Sequence, residues 1–455
     1  MIIICNERKE MLLLEKIFNI INKSGLKYCI QNKYEMMPEE IPSDIDMMYM
    51  DADEEFLDKL VDEIASKTGL IVTQKICQGY YEFTYIISYP CPKERFQLQL
   101  DFYRAISRRG YLNIMPAEEM IETRRFYKCF YVPDYYIELK YMWIRRTIKK
   151  DLNEEHIQIA KGLYERSPEE YRKKLIIDFG EELTDVICLI MEKEDINIFY
   201  DNFQMFNKCA KNISRKNSPL IIRLKYLYFL IFCVIPKRVF HKCGISIAFL
   251  APDGAGKSTI IEKIQNPVSG SFYGIKNYYF RPHIFKNLGA YKPINPTIEE
   301  KTNPDPHGKK ANGFIKSFVR FMFYNIDFFF GNLIKIIPEK ISKNLIIFDR
   351  YYYDYYVDMK RFQYNMPSRI PHFFSWLISK PNIVFVLDAP AEVIYNRKKE
   401  LDISEIERAR EEYRKIAIKN NFRIIDVNRD IQTITDDVTM QILGYMDEYT
   451  HKIMK

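Results

Sequence analysis

At 455 residues the chain is longer than one hydrophobic core usually organises, so two or three domains are expected, and its 47% apolar content supports packed globular domains. A net charge of +7 with acids and bases interspersed gives no case for a nucleic-acid partner. Nine scattered cysteines, none at C-x-x-C spacing, speak against a zinc site or a disulfide framework and for free thiols in a reducing cytoplasm.

The first ten residues lack a basic leader followed by a long apolar run, so no signal peptide is expected. Residues 8–24 carry apolar side chains at helical spacing and stop at Ser24-Gly25. A short strand over Tyr28 to Gln31 follows. Pro42 to Tyr49 reads as another strand, and the two-residue spacing of Asp44 and Asp46 puts both carboxylates on one face. Residues 54–68 form an amphipathic helix closed by Gly69, and two β-rich runs cover Tyr80 to Tyr89 and Arg95 to Tyr103. In the second run Phe96, Leu98 and Leu100 alternate with Gln97, Gln99 and Asp101, so Asp101 lies on a polar strand face.

An Asp-x-Asp on one strand with a single Asp on another can hold two Mg²⁺ ions, which would activate an attacking hydroxyl and steady a departing pyrophosphate. Ser43-Asp44-Ile45-Asp46 with Asp101 resembles the polymerase-beta-type nucleotidyltransferase superfamily over roughly residues 1–115. The resemblance implies an α+β domain with Asp44, Asp46 and Asp101 as metal ligands. The Gly-Ser turn that the family carries ahead of its Asp-x-Asp has no glycine here, between Cys29 and Tyr34.

Residues 116–242 read as a mainly helical connector, with helices over Tyr135 to Lys150, Ile157 to Tyr164, Pro168 to Ile176 and Glu181 to Met191. Ser167-Pro168 reads as a cap with proline at the first helical position. Arg145-Arg146 and Lys149-Lys150 are expected on a solvated helix face, a phosphate-facing patch being the alternative. The most apolar stretch, Tyr226 to Ile235, is too short to span a bilayer, which takes about 20 residues. It is expected to pack in a core as an amphipathic helix. Its basic flanks, Arg223, Lys225, Lys237 and Arg238, admit peripheral contact with an anionic membrane through residues 220–240.

Residues 243–455 open on an apolar strand that runs into Ala251-Pro252-Asp253-Gly254-Ala255-Gly256-Lys257-Ser258-Thr259. Strand, small-residue turn and helix make a phosphate cradle: backbone N–H groups hold phosphate oxygens, Lys257 reaches the terminal phosphates and the Ser258 hydroxyl ligands Mg²⁺. Ala251 replaces the first consensus glycine, which is compatible with the fold if its φ is negative. The stretch 270–315, with His283 and His307, reads as a long loop that would elaborate an acceptor pocket. A helix is expected over Phe314 to Ile337. Two buried parallel strands, Leu345 to Asp349 and Ile383 to Asp388, then deliver Asp349, Arg350 and Asp388 to a sheet edge, and a last strand is Arg423 to Asp426. Asp349 suits Mg²⁺, Asp388 its outer shell, and Arg350 an acceptor phosphate or carboxylate. Ser404-Glu405-Ile406-Glu407 has the pattern of a capping box. Arg397, Arg410 and Arg414 belong to a basic lid that would close over phosphates.

Asp253 to Thr259, then Asp349-Arg350-Tyr351, then Leu387-Asp388-Ala389-Pro390 leading to Arg397, resemble the thymidylate-kinase-like P-loop kinases over about 244–455. The resemblance implies ATP- and Mg²⁺-dependent phosphoryl transfer, with Asp253 near the acceptor, Arg350 on its phosphate and Asn428 bordering the adenine. The family's Arg-Glu-Pro-Gly-Gly-Thr element is absent between 265 and 315, Arg281-Pro282-His283 being the nearest fragment, so the acceptor need not be thymidylate. The expected architecture is therefore α/β: a P-loop parallel sheet with helices on both faces, preceded by a smaller α+β domain and a helical connector. The expected partner is a small phosphoryl acceptor, a nucleoside monophosphate or a sugar-like alcohol. The alternative is nucleotidyl transfer by the front domain, with the back domain as an ATP-binding regulator.

Overall fold

The computed structural model describes residues 2–91, 96–108, 110–285, 313–359, 361–362, 364–367, 369–399 and 401–454, with side chains from residue 10 onward. Two compact units emerge: Met1–Tyr89, Phe96–Lys237 and Thr450–Lys455 form the first, Pro90–Arg95 and Arg238–Tyr449 the second. Residues 116–237, expected as a connector, group with the first unit.

The first unit is built on a five-stranded mixed sheet of β1 (Lys27–Ile30), β2 (Asp44–Met50), β3 (Ile71–Gly79), β4 (Glu82–Ser88) and β5 (Gln97–Tyr103), in the order β1-β2-β5-β4-β3. Helices α1 (Ile2–Lys23) and α2 (Glu54–Thr68) cover one face, where Ile17, Phe18, Val61 and Ile64 meet Met47, Tyr49, Leu100 and Phe102. Period-two alternation sends Asp44, Asp46 and Asp101 to the other face. Helix α2 keeps the expected bounds: Asp53 accepts from the Phe56 N–H at 2.9 Å, and Gly69 closes the helix at φ +75°.

Strand β3 was not legible. Thr73, Gln74 and Lys75 are buried in it, which breaks the apolar pattern, and Lys75 pairs with tertiary partners, Asp58 at 2.6 Å and Glu54 at 2.8 Å. Two small hairpins, β6 (Ala105–Arg108) with β7 (Tyr111–Pro116) and β8 (Arg125–Tyr127) with β9 (Phe130–Val132), also escaped the sequence reading. Around them lie α3 (Ala117–Glu122), α4 (Tyr135–Lys149), α5 (Glu154–Tyr164), α6 (Pro168–Phe179), α7 (Glu181–Lys193), α8 (Ile196–Asp201) and α9 (Phe203–Asn217). Their core centres on the fully buried Trp143. Pro168 is the first residue of α6, but Ser167 makes no side-chain capping bond.

Then come α10 (Leu220–Phe229), a π-turn over Leu230–Val234 and α11 (Ile235–Phe240). The expectation that Tyr226–Ile235 packs into a core holds only in part: no residue of α10 is buried, while Val234 joins the core of the mixed sheet.

The second unit carries a five-stranded, all-parallel sheet of β10 (Ser246–Leu250), β11 (Gly274–Tyr279), β12 (Asn344–Asp349), β13 (Ile383–Asp388) and β14 (Arg423–Asp426), in the order β11-β12-β10-β13-β14. Helices α12 (Lys257–Val268), α13 (Phe314–Gly331), α14 (Ile337–Ile341), α15 (Asp354–Val357), α16 (Arg369–Phe374), α17 (Ala391–Arg397), α18 (Ile403–Asn420) and α19 (Ile431–Met454) complete the chain. Ile247, Phe249 and Phe385 pack with Ile260 of α12 and Val438 of α19. Ala248, Leu250 and Val386 pack with Phe328 of α13 and Tyr413 of α18. Both faces are therefore covered, as near-continuous apolar strands require.

Three expectations here are corrected. Strand β11 lies inside the stretch read as loop; it is an edge strand with a mostly solvated Gly-Ile-Lys-Asn-Tyr-Tyr sequence, so no apolar run marks it. Residues 286–312 of that stretch, with His307, lie outside the described residues. The single helix expected over Phe314 to Ile337 is interrupted by a π-turn at Asn332–Ile336, just before Pro338 withholds a backbone donor. The capping box at Ser404 is not used: α18 starts two residues earlier, at Ile403 after Asp402, with no side-chain capping bond.

Candidate functional site

In the second unit the chain leaves β10 at Leu250, turns through Ala251–Gly256 and enters α12 at Lys257. Gly254 and Gly256 adopt φ of +87° and +89°, and a Cβ on Gly254 would lie 3.0 Å from the Ile394 carbonyl oxygen. Ala251, at the consensus glycine position, is not among the positive-φ residues, so its side chain costs nothing there.

The Lys257 amine curls back over this turn and donates to the carbonyls of Ala251 at 2.9 Å and Pro252 at 3.1 Å. Burial pushes it down to about 7; the Arg350 charge adds to the effect, and Asp349 and Asp354 oppose it. The Ser258 hydroxyl lies 3.4 Å from Asp349 Oδ2, while Asp349 Oδ1 is buried without a hydrogen-bond partner. Parallel register brings this about, since Asp349 at the end of β12 stands opposite Phe249 in β10.

Arg350 has φ +72°, unusual for a bulky residue, and its N–H donates to the Phe249 carbonyl at 3.0 Å. Its buried guanidinium donates to Asp354 at 2.8 Å and to Asp253, and Arg361 also donates to Asp253. Burial works against the Arg350 charge, but Asp354, with Tyr413 and Tyr279, more than offsets it and holds the group firmly protonated. Arg361 and Asp354 were missed in the sequence. For Asp354 a signal existed, an acid four residues after Arg350; for Arg361 there was none.

Asp388, expected near a metal, accepts from Arg410 at 2.8 Å and faces Arg414 at 3.7 Å, so it anchors α18. Arg397 donates to the Val427 carbonyl at 3.0 Å, and the Asn428 N–H donates to Asp426 at 2.8 Å. Arg281, fully buried, pairs with Asp327 at 2.7 Å, and the same carboxylate accepts the N–H groups of His283, Ile284 and Phe285. The Arg-Pro-His fragment is thus an anchor for its loop.

In the first unit β2 and β5 run parallel with Asp46 opposite Asp101. Carboxylate oxygens of Asp44, Asp46 and Asp101 all lie within 4.8 Å of one another. Asp101 accepts from Thr84 and, at 2.7 Å, from Gln99; burial pushes its carboxyl up, and the charges of Asp46 and Asp44 act in the same direction. Lys33 approaches Asp44 at 3.8 Å and has φ +58°, the left-handed backbone that a glycine would favour in that turn.

A cavity opens beside Asp46, and Tyr141, Arg108, Arg145 and Lys149 are among its lining residues. Burial, together with the charges of Arg145, Arg146 and Arg108, holds Lys149 below the ordinary lysine range. The expectation of a wholly solvated basic face is corrected: Arg146 is buried against Asp151 at 3.2 Å, and Arg145 and Lys149 line the cavity. Crowded cations beside crowded carboxylates make a site able to take an anion and a divalent cation together.

No family model matches the chain, and no curated protein matches it either.

Proposed function

We propose that the second unit binds ATP with Mg²⁺ and transfers its γ-phosphoryl group to a small acceptor, a nucleoside monophosphate or a sugar-like alcohol. The observation that carries this reading is the buried Lys257 amine, pushed down to about 7 over a two-glycine turn at a helix start. A cation held there with two carbonyls as its acceptors is poised for an anion of high charge. The turn's N–H groups bind and orient phosphate oxygens, and Lys257 exchanges its carbonyl contacts for the terminal phosphates.

Ser258 and Asp349 fit a hard cation, because the buried Asp349 oxygen is otherwise unsatisfied and the hydroxyl stands beside the same carboxylate. When bound, Mg²⁺ neutralises charge on the β- and γ-phosphates. Arg350 and Arg361 share Asp253 and would swap part of that pairing for an acidic acceptor, while Asp253 would then accept from the acceptor's hydroxyl. Catalysis is positioning and charge stabilisation. Purified chain with Mg²⁺ and γ-labelled ATP, offered a panel of nucleoside monophosphates and sugar alcohols, should label an acceptor, and Lys257→Ala should not. A wild-type chain that labels none and consumes no ATP would falsify the reading.

A second reading is favoured by the three converging carboxylates of the first unit and the cationic cavity beside them: nucleotidyl transfer there, with the second unit as an ATP-binding regulator. Label from the α-phosphate, lost in Asp44→Asn and kept in Lys257→Ala, would select it.

A further inference from the structure

We infer that the helix from Leu220 to Ile235 is an in-plane docking helix for an anionic phospholipid surface. Its outward side is apolar: Leu220, Ile221, Leu224, Leu227, Tyr228 and Phe232 are each more than half exposed, from 52% at Leu227 to 73% at Leu220. Leu220, Leu224, Leu227 and Ile231 recur at three- and four-residue spacing, which makes one continuous stripe on a helix. The inward side belongs to the first unit. Tyr226 and Phe229 contact the Tyr80 ring at 4.7 and 5.1 Å, Tyr226 meets the Ser107 hydroxyl at 3.0 Å, and Val234 joins the core of the mixed sheet. A helix with one side seated on its own sheet and the other side bare and apolar lies along an interface. Among the described residues, no single helix is long and apolar enough to cross a bilayer.

Charge identifies the occupant. Between Phe203 and Lys237 there are seven lysines and arginines and no aspartate or glutamate, so this stretch alone matches the formal net charge of the entire chain, +7. The interspersion of charge seen along the rest of the chain is suspended here. Lys237 is paired with Glu54 at 2.6 Å, and Arg223 donates to the Ser218 carbonyl at 2.9 Å, so the latter keeps its charge beside the stripe. Lys225 stands on the same helix, and Lys211, Arg215 and Lys216 are exposed on α9. An apolar stripe bordered by cations, with no acid within it, complements anionic headgroups over acyl chains. A second copy of the chain would bring the same positive border to the contact, which repels.

The test is co-sedimentation of the full chain with vesicles of phosphatidylglycerol and phosphatidylcholine, and with phosphatidylcholine alone. The wild-type chain should bind the mixed vesicles, bind phosphatidylcholine much more weakly, and be released by salt. Leu224→Glu with Ile231→Glu should lower partitioning about tenfold or more, the scale of losing two buried aliphatic side chains. Arg223→Gln with Lys225→Gln leaves the stripe intact and guards against a folding defect in the first pair; each change should weaken binding about fivefold and flatten the salt dependence. Phe330→Glu with Ile334→Glu, on the other exposed apolar helix, should leave binding unchanged. Equal binding by wild type and the Leu224/Ile231 variant, loss only in the Phe330/Ile334 variant, or a dimer that the Leu224/Ile231 changes dissociate while no vesicle is bound would each overturn the inference.

Discussion

The two sheets carry their charged edges in opposite states. In the mixed sheet Asp44, Asp46 and Asp101 converge within 4.8 Å, and the nearest cation among their described salt-bridge partners is Lys33 at 3.8 Å from Asp44. At the edge of the parallel sheet three carboxylates are already paired with cations: Asp253 with Arg350 and Arg361, Asp354 with Arg350, Asp388 with Arg410 and Arg414. What remains there is a buried amine, Lys257, held by two neutral carbonyls, and one Asp349 oxygen without a hydrogen-bond partner. Carboxylates crowded against one another call for a cation between them, and a cation penalised by burial calls for an anion. The same chain thus presents two sites of opposite demand, and experiments can separate them.

The sharpest separation comes from labelled ATP. Lys257→Ala should lower γ-phosphoryl transfer by about 10² to 10³-fold, the scale of removing one positioned charge from a transition state. Asp46→Asn should leave that rate unchanged. If Asp46→Asn abolishes γ-transfer as well, the two sites are not independent. Divalent binding should show the reverse pattern. Mn²⁺ titrated in the absence of nucleotide and followed by electron paramagnetic resonance should bind the wild-type chain, Asp46→Asn should weaken it at least tenfold, and Lys257→Ala should not change it. Equal Mn²⁺ affinity in all three proteins would remove the acidic cluster as a metal site.

Stability offers a smaller signal. Lys257 is pushed down to about 7 by burial, whereas an unfolded lysine titrates near about 10.4. Between those values the unfolded chain holds a proton that the folded chain has released, so ligand-free stability should rise with pH across that window. Lys257→Met removes the penalised charge at similar volume. It should raise ligand-free stability near pH 7 by about 1 kcal/mol, remove that rise with pH, and abolish stabilisation by ATP. Thermal melts of both proteins from pH 6 to about 10 check all three, and parallel curves would count against the buried-cation account. The smallest effect is expected at Lys33→Gly. With φ +58° at that turn, glycine relieves backbone strain, so stability should change by less than about 1 kcal/mol, and a larger loss would mean that the Lys33 side chain matters more than its backbone.

Much of the framework was legible. The strands Ile383–Asp388 and Arg423–Asp426 and helix Glu54–Thr68 fall where their periodicity put them, and the alternation in Gln97–Tyr103 correctly turned Asp101 away from the apolar face. What was not legible has a common cause. Strand Ile71–Gly79 hides Lys75 among tertiary ion pairs, and edge strand Gly274–Tyr279 has no buried run to announce it. Arg361 reaches Asp253 across 108 residues, a distance over which local pattern carries no information.

The sequence by itself determined the two-glycine turn before Lys257, the delivery of Asp349 and Arg350 to a strand end, and the shared face of Asp44 and Asp46, because each follows from backbone geometry over a few residues. Only the tertiary structure decided which charges neutralise one another, that Arg145 and Lys149 border the acidic cluster, and that the apolar helix at Leu220 is exposed. Burial and ion pairing are properties of the surroundings, and the surroundings are assembled from residues far apart in the chain.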